Sequence, residues 1–113
     1  RVGEAIAKAV REMGKRAVII GTGSPTHRLD LYYFNLKPKK SMFDELLINI
    51  IENGELRLLT KLEDTKEWFN AQPEGGLRPL YVVMGAVNPS RAEIIDYEPY
   101  APGLSMIAIK FSK

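Results

Sequence analysis

Apolar residues recur at helical spacing along much of the chain. Near the start, six of them form one stripe, in which each residue is one or three positions from the next: Val2, Ala5, Ile6, Ala9, Val10 and Met13. The stripe predicts an amphipathic helix over residues 2–14 that ends at Gly14. A second stripe shares this spacing: Phe43, Leu46, Leu47, Ile50 and Ile51. It predicts a buried helix over residues 41–53, with Ser41 as its N-cap and Asp44 in a pattern close to a capping box.

Shorter helical segments follow the second helix. We expect one over residues 55–62 and another over residues 65–70, the latter capped by Asp64. The segment "QPEGG" at residues 72–76 predicts a break. One more helical stripe comes after it: Leu77, Leu80, Tyr81 and Met84. Because proline has no amide hydrogen, Pro79 fits this helix only in its first turn.

Three segments have the pattern of β-strands. Residues 16–21, "RAVIIG", contain four consecutive apolar positions, which is typical of a strand covered on both faces. Residues 91–98 and 104–111 predict two further strands, joined around Pro102 and Gly103. We therefore expect an α/β fold, in which a central mixed sheet of these three strands is flanked by the two long helices.

Composition and charge narrow the class of protein. The chain has 113 residues, of which 45% are hydrophobic and 27% charged, as in ordinary globular domains. A net charge of +2 gives no reason to expect nucleic acid or an anionic membrane as a partner. The absence of cysteine, of a signal peptide and of a membrane-spanning apolar run leads us to expect a soluble, cytoplasmic protein. Helical periodicity already runs at Val2 without an initiator methionine, which suggests a piece of a longer protein.

The long connection over residues 22–40 is the best candidate for a functional loop, and it carries His27, the one histidine of the chain. Its glycines resemble a dinucleotide-binding fingerprint, but the third glycine is missing and no helix obviously follows. The basic stretch "KPKK" at residues 37–40 could contact phosphates, although such stretches are more often solvated loops. His27 itself could be an ordinary loop residue hydrogen-bonded to nearby backbone.

Several segments, in their order along the chain, resemble one enzyme family. They are "GEAIAKAV", "IIGTGSPTH", "FDELLINIIENGE", "YVVMGAV" and "DYEPYAPGLSMIAIKF". Together they resemble the class III extradiol ring-cleavage dioxygenases, and more specifically the catalytic subunit of protocatechuate 4,5-dioxygenase. The resemblance covers essentially all of residues 1–113, but only the C-terminal half of a catalytic domain of that family. The chain is therefore expected to be a single domain or the C-terminal part of a larger one.

The resemblance implies a reaction and a set of site residues. The family opens catechol-type rings beside the two hydroxyls, using O₂ and a non-haem Fe(II) held by two histidines and a glutamate. His27 corresponds to the histidine that acts as acid and base, since it ends the Gly-rich turn. Gly23, Ser24, Thr26 and Arg28 are the expected substrate-binding residues, with Arg28 pairing a carboxylate on the ring. Arg28 and the three aromatic residues after it could line one pocket or simply pack around the loop; the aromatics are Tyr32, Tyr33 and Phe34.

The chain also departs from the family pattern. The two iron histidines of the family lie in its N-terminal half, so this chain alone cannot supply them. Alignment on Gly85 and Ala86 puts Gly76 where the iron glutamate is expected, and the nearest carboxylate is that of Glu74. We therefore take Glu74 as the candidate metal ligand. Three interpretations stay open: part of a complete dioxygenase, a metal-free subunit that pairs with an active one, or an unrelated small binding domain. Either of the first two implies a partner, and we expect an oligomer.

Overall fold

The computed structural model describes residues 1–113 as a mixed α/β fold. The α-helices are α1 (Val2–Met13), α2 (Leu29–Tyr32), α3 (Met42–Glu52), α4 (Lys66–Ala71) and α5 (Arg78–Val87). Two 3₁₀-helical segments lie at Leu56–Asp64 and Glu74–Leu77. The strands are β1 (Arg91–Ala101) and β2 (Leu104–Ser112). The α/β class expected from the sequence is confirmed.

Helix α3 is the centre of the hydrophobic core. The predicted stripe faces inward, and Phe43 and Ile51 are 1% and 2% exposed. Leu59 and Leu62 from the following 3₁₀ segment pack into the same cluster. The predicted N-cap is also present, because Ser41 Oγ accepts a hydrogen bond from the backbone N–H at the third helical position. Burial of this stripe positions the beginning of α3, which lies beside the His27 loop.

The cap of helix α4 differs from the prediction. The helix begins at Lys66, so Thr65 and not Asp64 occupies the N-cap position with extended backbone angles. Thr65 Oγ1 accepts the N–H of Trp68 at 3.1 Å. Thr65 is the cap because its oxygen is the one that reaches the third amide of the helix.

The two C-terminal strands form an antiparallel hairpin, as predicted. Its register runs from Arg91 opposite Ser112 to Ala101 opposite Leu104. Gly103 closes the turn with φ of 73°, in the left-handed region that glycine enters without strain. The hairpin is the whole sheet of this chain, so the larger central sheet expected from the sequence is not formed here.

The expectation for residues 16–21 is wrong within this chain. The segment is irregular, and residues 16–23 make no backbone hydrogen bond. Val18 and Ile20 are 86% and 81% exposed, although their pattern predicted cover on both faces. A strand requires a neighbouring strand to pair its N–H and C=O groups, and no other segment of residues 1–113 lies beside it in that way.

Helix α1 packs on α5 through a close backbone approach. A side chain at Gly3 would collide with the backbone of Gly85 and Ala86, so the helices touch at this point. The rest of the α1 stripe is poorly covered, since Val2 and Met13 are 63% and 67% exposed. The helix bounds were therefore predicted correctly, but the burial of its apolar face was not.

The whole molecule exposes more surface than its mass requires. Its accessible area is 8067 Å², whereas a folded monomer of 12.7 kDa exposes about 6,200 Å². Its radius of gyration is 14.9 Å, against about 13 Å for a compact domain of this length. None of the helices combines the length and the apolar composition that crossing a bilayer demands.

Candidate functional site

The backbone around His27 is held on both edges. The His27 N–H donates to the carbonyl of Ala71 at the end of α4, at 2.9 Å. On the other edge, the Arg28 N–H donates to the Gly103 carbonyl at 2.8 Å, and the Ser105 N–H donates to the Thr26 carbonyl at 3.2 Å. Residues 26–28 thus lie against the start of β2 like a short third strand, and His27 is bridged to Leu104.

The His27 side chain is half-buried and makes no hydrogen bond within the chain. Only the backbone of this residue is bonded, so the interpretation as a histidine tied to nearby backbone holds for its amide and not for its ring. Because a neutral imidazole carries one donor and one acceptor nitrogen, both functions are available to another molecule or segment. The geometry combines a fixed backbone with an unengaged acid/base group.

A buried polar cluster lies directly beneath this segment. The Thr26 hydroxyl donates to Asp44 Oδ1 at 2.7 Å, and the Tyr97 hydroxyl donates to Asp44 Oδ2. Asp44 and Thr26 are 1% and 6% exposed. Ser41 Oγ lies 2.7 Å from Thr26 Oγ1, and the Thr26 N–H donates to Ser105 Oγ at 3.2 Å. Asp44 therefore does not complete the capping box that its spacing suggested, because its carboxylate accepts from the loop and from β1 instead.

This cluster alters the acid strength of Tyr97. Burial of the phenol raises the pKa of Tyr97 well above its usual value, and the hydrogen bond to Asp44 raises it further. The phenol is kept protonated because its anion would be poorly solvated and would face a carboxylate. Tyr97 is thus a hydrogen-bond donor to Asp44 over the whole physiological range.

Ser24 and Glu74 are brought together, as a shared site would require. The Ser24 N–H donates to Glu74 Oε2 at 2.9 Å, and the Glu74 N–H donates to the Ser24 carbonyl at 2.9 Å. Gly23 and Glu74 also line one cavity of about 510 Å³, together with residues 17–21, α5 and β2. His27 does not line that cavity. The Gly-rich turn and the candidate metal ligand are therefore neighbours, and His27 follows this turn in the chain.

Arg28 already has partners in the chain. Its guanidinium donates to both carboxylate oxygens of Asp30, at 2.8 and 2.7 Å, and to the Asn70 carbonyl at 2.9 Å. The hydrogen bond from Arg28 lowers the pKa of the Asp30 carboxyl. Pairing of Arg28 with a ring carboxylate stays a prediction, and it would require the guanidinium to exchange or share Asp30. A contact between Thr26 and substrate also stays a prediction, although the buried hydroxyl favours a supporting position.

The aromatic residues after Arg28 form no enclosed pocket here. Tyr32 and Tyr33 meet edge to face with ring centroids 5.5 Å apart. Tyr33 is 89% exposed, and Phe34 is 61% exposed. Phe69 is exposed as well. These side chains contribute to the uncovered surface around the loop.

Sequence reasoning missed the role of Asp44 and all of Tyr97. Asp44 was noticed as a helix-start residue, and Tyr97 lay in a strand with no distinguishing pattern. The useful signal was the position of a carboxylate beside Phe43, at the edge of an otherwise apolar buried stripe. A carboxylate buried there needs hydrogen-bond donors, which the fold must supply from elsewhere.

Comparison with known proteins gives a family and a curated relative that resemble this chain in sequence. The chain is 32% identical over 103 residues to Protein CA_C1420 of Clostridium acetobutylicum. The match covers 87% of the chain and 21% of the relative, so the chain spans about a fifth of the relative's length. No solved structure was found to match the chain. Residues 1–111 match the family described as "Catalytic LigB subunit of aromatic ring-opening dioxygenase", and the chain belongs to that family.

Proposed function

We propose that this chain carries the acid/base residue of an extradiol dioxygenase, which opens a catechol-type ring with O₂ at a non-haem Fe(II). The supporting observation is His27, which lies in a backbone segment hydrogen-bonded on both edges while its imidazole has no partner in the chain. An imidazole suits this task because its ordinary pKa lies near neutrality and it can hold or release a proton at either ring nitrogen. Family membership supports aromatic ring opening as the class of reaction.

His27 would take a proton from a substrate hydroxyl and return it later in the reaction. A positioned acid/base group of this kind contributes about 10²- to 10⁴-fold to the rate. The clamp between Ser24 and Glu74 would fix the Gly-rich turn that leads to the imidazole. Arg28, held by Asp30, would present a cation near the substrate. Each of these roles belongs to a residue that the structure places on the same loop or directly against it.

The residues of this chain do not form a complete iron site. His27 is its one histidine, and no group of three His, Cys, Asp or Glu residues is arranged to hold a metal. Glu74 could contribute one ligand, because only Oε2 of its carboxylate accepts a hydrogen bond. When bound, the iron would supply Lewis-acid chemistry for the diol and O₂. We propose that two histidines from outside these 113 residues complete its ligands.

Uncovered surface supports such a completing part. The molecule exposes roughly 1,800 Å² more than a monomer of its mass. Stable interfaces bury about 800 Å² on each partner, and obligate ones bury more. Residues 16–23 also lack backbone partners, and a neighbouring extended strand would supply them. We propose that the rest of a longer polypeptide or a second type of subunit covers this surface, and that the assembly works in the cytoplasm as an oligomer.

A metal-free partner subunit is the second candidate function. The observation that favours it is Gly76, which stands where the iron glutamate of the family is expected. In that case His27 would be an ordinary loop residue, and the active site would belong wholly to another subunit. The two proposals differ in whether His27 affects turnover.

The test is steady-state O₂ uptake with several catechols by the complete protein, normalised to bound iron. His27→Ala and His27→Phe should retain iron and lose about 10²- to 10⁴-fold in turnover. Glu52→Ala, at an exposed polar position at the end of α3, is the control and should keep wild-type turnover. Wild-type turnover in the His27 variants would refute the acid/base role. A complete protein that binds no iron and takes up no O₂ would favour the metal-free subunit.

A further inference from the structure

We propose that Asp44 is a positioning residue for His27, and that it acts through the hydroxyls of Thr26 and Tyr97. The proposal rests on the acid/base role of His27 for its consequence in catalysis. Its geometric part stands alone, since it concerns only which way the imidazole is presented.

Hydrogens in the cluster can be assigned one by one. The hydrogen of the Thr26 hydroxyl goes to Asp44 Oδ1, so the close Ser41 hydroxyl must donate its own hydrogen to Thr26 Oγ1. Ser41 Oγ in turn accepts the Asp44 N–H at 3.0 Å. These three bonds form a closed ring through Asp44, Ser41 and Thr26. The second carboxylate oxygen accepts from Tyr97, so both oxygens of Asp44 are used.

The ring determines which face of the loop carries His27. Residues 26–28 lie extended against Gly103 and Ser105, and neighbouring side chains of an extended segment point to opposite faces. Because the Thr26 side chain is bonded inward to Asp44, the His27 side chain is directed to the opposite face. If the segment rotated so that His27 became buried, the hydrogen bond between Thr26 and Asp44 would break.

Asp44 also joins elements that are distant in sequence. It lies in the first turn of α3, Thr26 lies 18 residues earlier, and Tyr97 lies 53 residues later on β1. Ser105 on β2 accepts the Thr26 N–H and donates its own N–H to the Thr26 carbonyl. The loop is therefore hydrogen-bonded to α3 and β2, and it is connected to β1 through Asp44. Removal of the acceptor would leave two buried or half-buried hydroxyls without their partner.

The first measurement is NMR of the histidine ring in the iron-free complete protein, where the His27 signals are identified by their loss in His27→Ala. Thr26→Val keeps the shape and the backbone bonds but removes the hydroxyl, and Asp44→Asn removes one acceptor oxygen. Both should shift the His27 signals and broaden or split them. Glu45→Gln, the exposed neighbour of Asp44, and Tyr100→Phe, on the same strand as Tyr97, are controls that should leave the signals in place. Unchanged signals in folded Thr26→Val and Asp44→Asn would overturn the proposal.

The second measurement is turnover per bound iron in the complete enzyme. Misplacement of a catalytic group by about 1 Å can cost about 10²-fold, so Thr26→Val should lower kcat by that order with iron content and KM retained. A loss that follows only the folded fraction would indicate a merely structural role and would overturn the proposal. If a variant fails to fold, Tyr97→Phe, which deletes one donor, takes its place in both measurements.

The two measurements separate this proposal from the proposed function. If His27→Ala keeps wild-type turnover while Thr26→Val still shifts the ring signals, the acid/base role fails and the positioning geometry stands. If His27→Ala loses turnover while Thr26→Val changes neither signals nor kcat, the positioning role fails and the acid/base role stands.

Discussion

Replacement of Gly103 by alanine tests the contact that holds the His27 segment against β2. Gly103 has φ of 73°, and an alanine in the left-handed region costs about 1–2 kcal/mol. Its Cβ would also lie 2.5 Å from the Arg28 carbonyl oxygen and 2.9 Å from Leu31 Cβ, distances that force a shift. The shift would break the 2.8 Å bond from the Arg28 N–H to the Gly103 carbonyl, which is worth about 0.5–1.5 kcal/mol. We expect Gly103→Ala to lower the free energy of unfolding by about 1.5–3.5 kcal/mol, the sum of these two contributions.

Gly54→Ala is the matched control for this prediction. Gly54 has nearly the same φ, 72°, but no atom within 4 Å of the added Cβ, so it bears only the conformational cost. Urea unfolding can be followed by the fluorescence of Trp68, the single tryptophan, which packs against the core. The difference between the two variants, about 1 kcal/mol or more, measures the close approach of Gly103 to the loop. Equal losses in the two variants would show that the approach to Arg28 contributes nothing to stability.

Two further predictions concern a helix cap and a pH dependence. Thr65→Ala should lower the free energy of unfolding by about 1 kcal/mol, whereas Asp64→Ala should change it little; the reverse order in urea unfolding would contradict the assigned cap. Because the folded state raises the pKa of Tyr97, its contribution to stability is complete below about pH 10 and is lost as the pH rises further. The destabilisation caused by Tyr97→Phe should therefore shrink above pH 10, and a constant difference between wild type and variant would refute the raised pKa.

Helix α3 and the core-facing side of the hairpin could be predicted from sequence because their apolar positions are buried by other parts of this same chain. The α3 stripe meets the 3₁₀ segment and the hairpin, so its periodicity matches its observed burial. Residues 16–21 show the limit of this reasoning. A continuous apolar run indicates that a segment is suited to burial on both faces, but it does not identify what supplies the cover. Val18 and Ile20 are exposed as a result. The segment is apolar, but the strand partner that its pattern predicts is absent from residues 1–113.

The candidate site was predictable in its position and less so in its supports. His27 could be found because it is the one histidine and follows a Gly-rich turn. Its supports come from Asp44 and Tyr97, and the hydrogen bonds concerned span 18 and 53 residues. Spacing rules describe neighbours within one helix or strand, so they suggested a local cap for Asp44 and nothing for Tyr97. Only the packing of α3 against β1 shows that both oxygens of the carboxylate are used elsewhere.

The loop and the unpaired segment before it differ in what orders them. Residues 24–28 are fixed by bonds to Glu74, Ala71, Gly103 and Ser105, all within the chain. Residues 16–23 have no such bonds, yet they end directly at this loop. The cavity that residues 17–21 line also contains Glu74 on its wall, so a strand that paired with the unpaired segment would lie close to the candidate iron ligand. A partner at this surface would thus complete both the fold and the metal site. The orientation of the His27 side chain would depend instead on Asp44, which belongs to this chain.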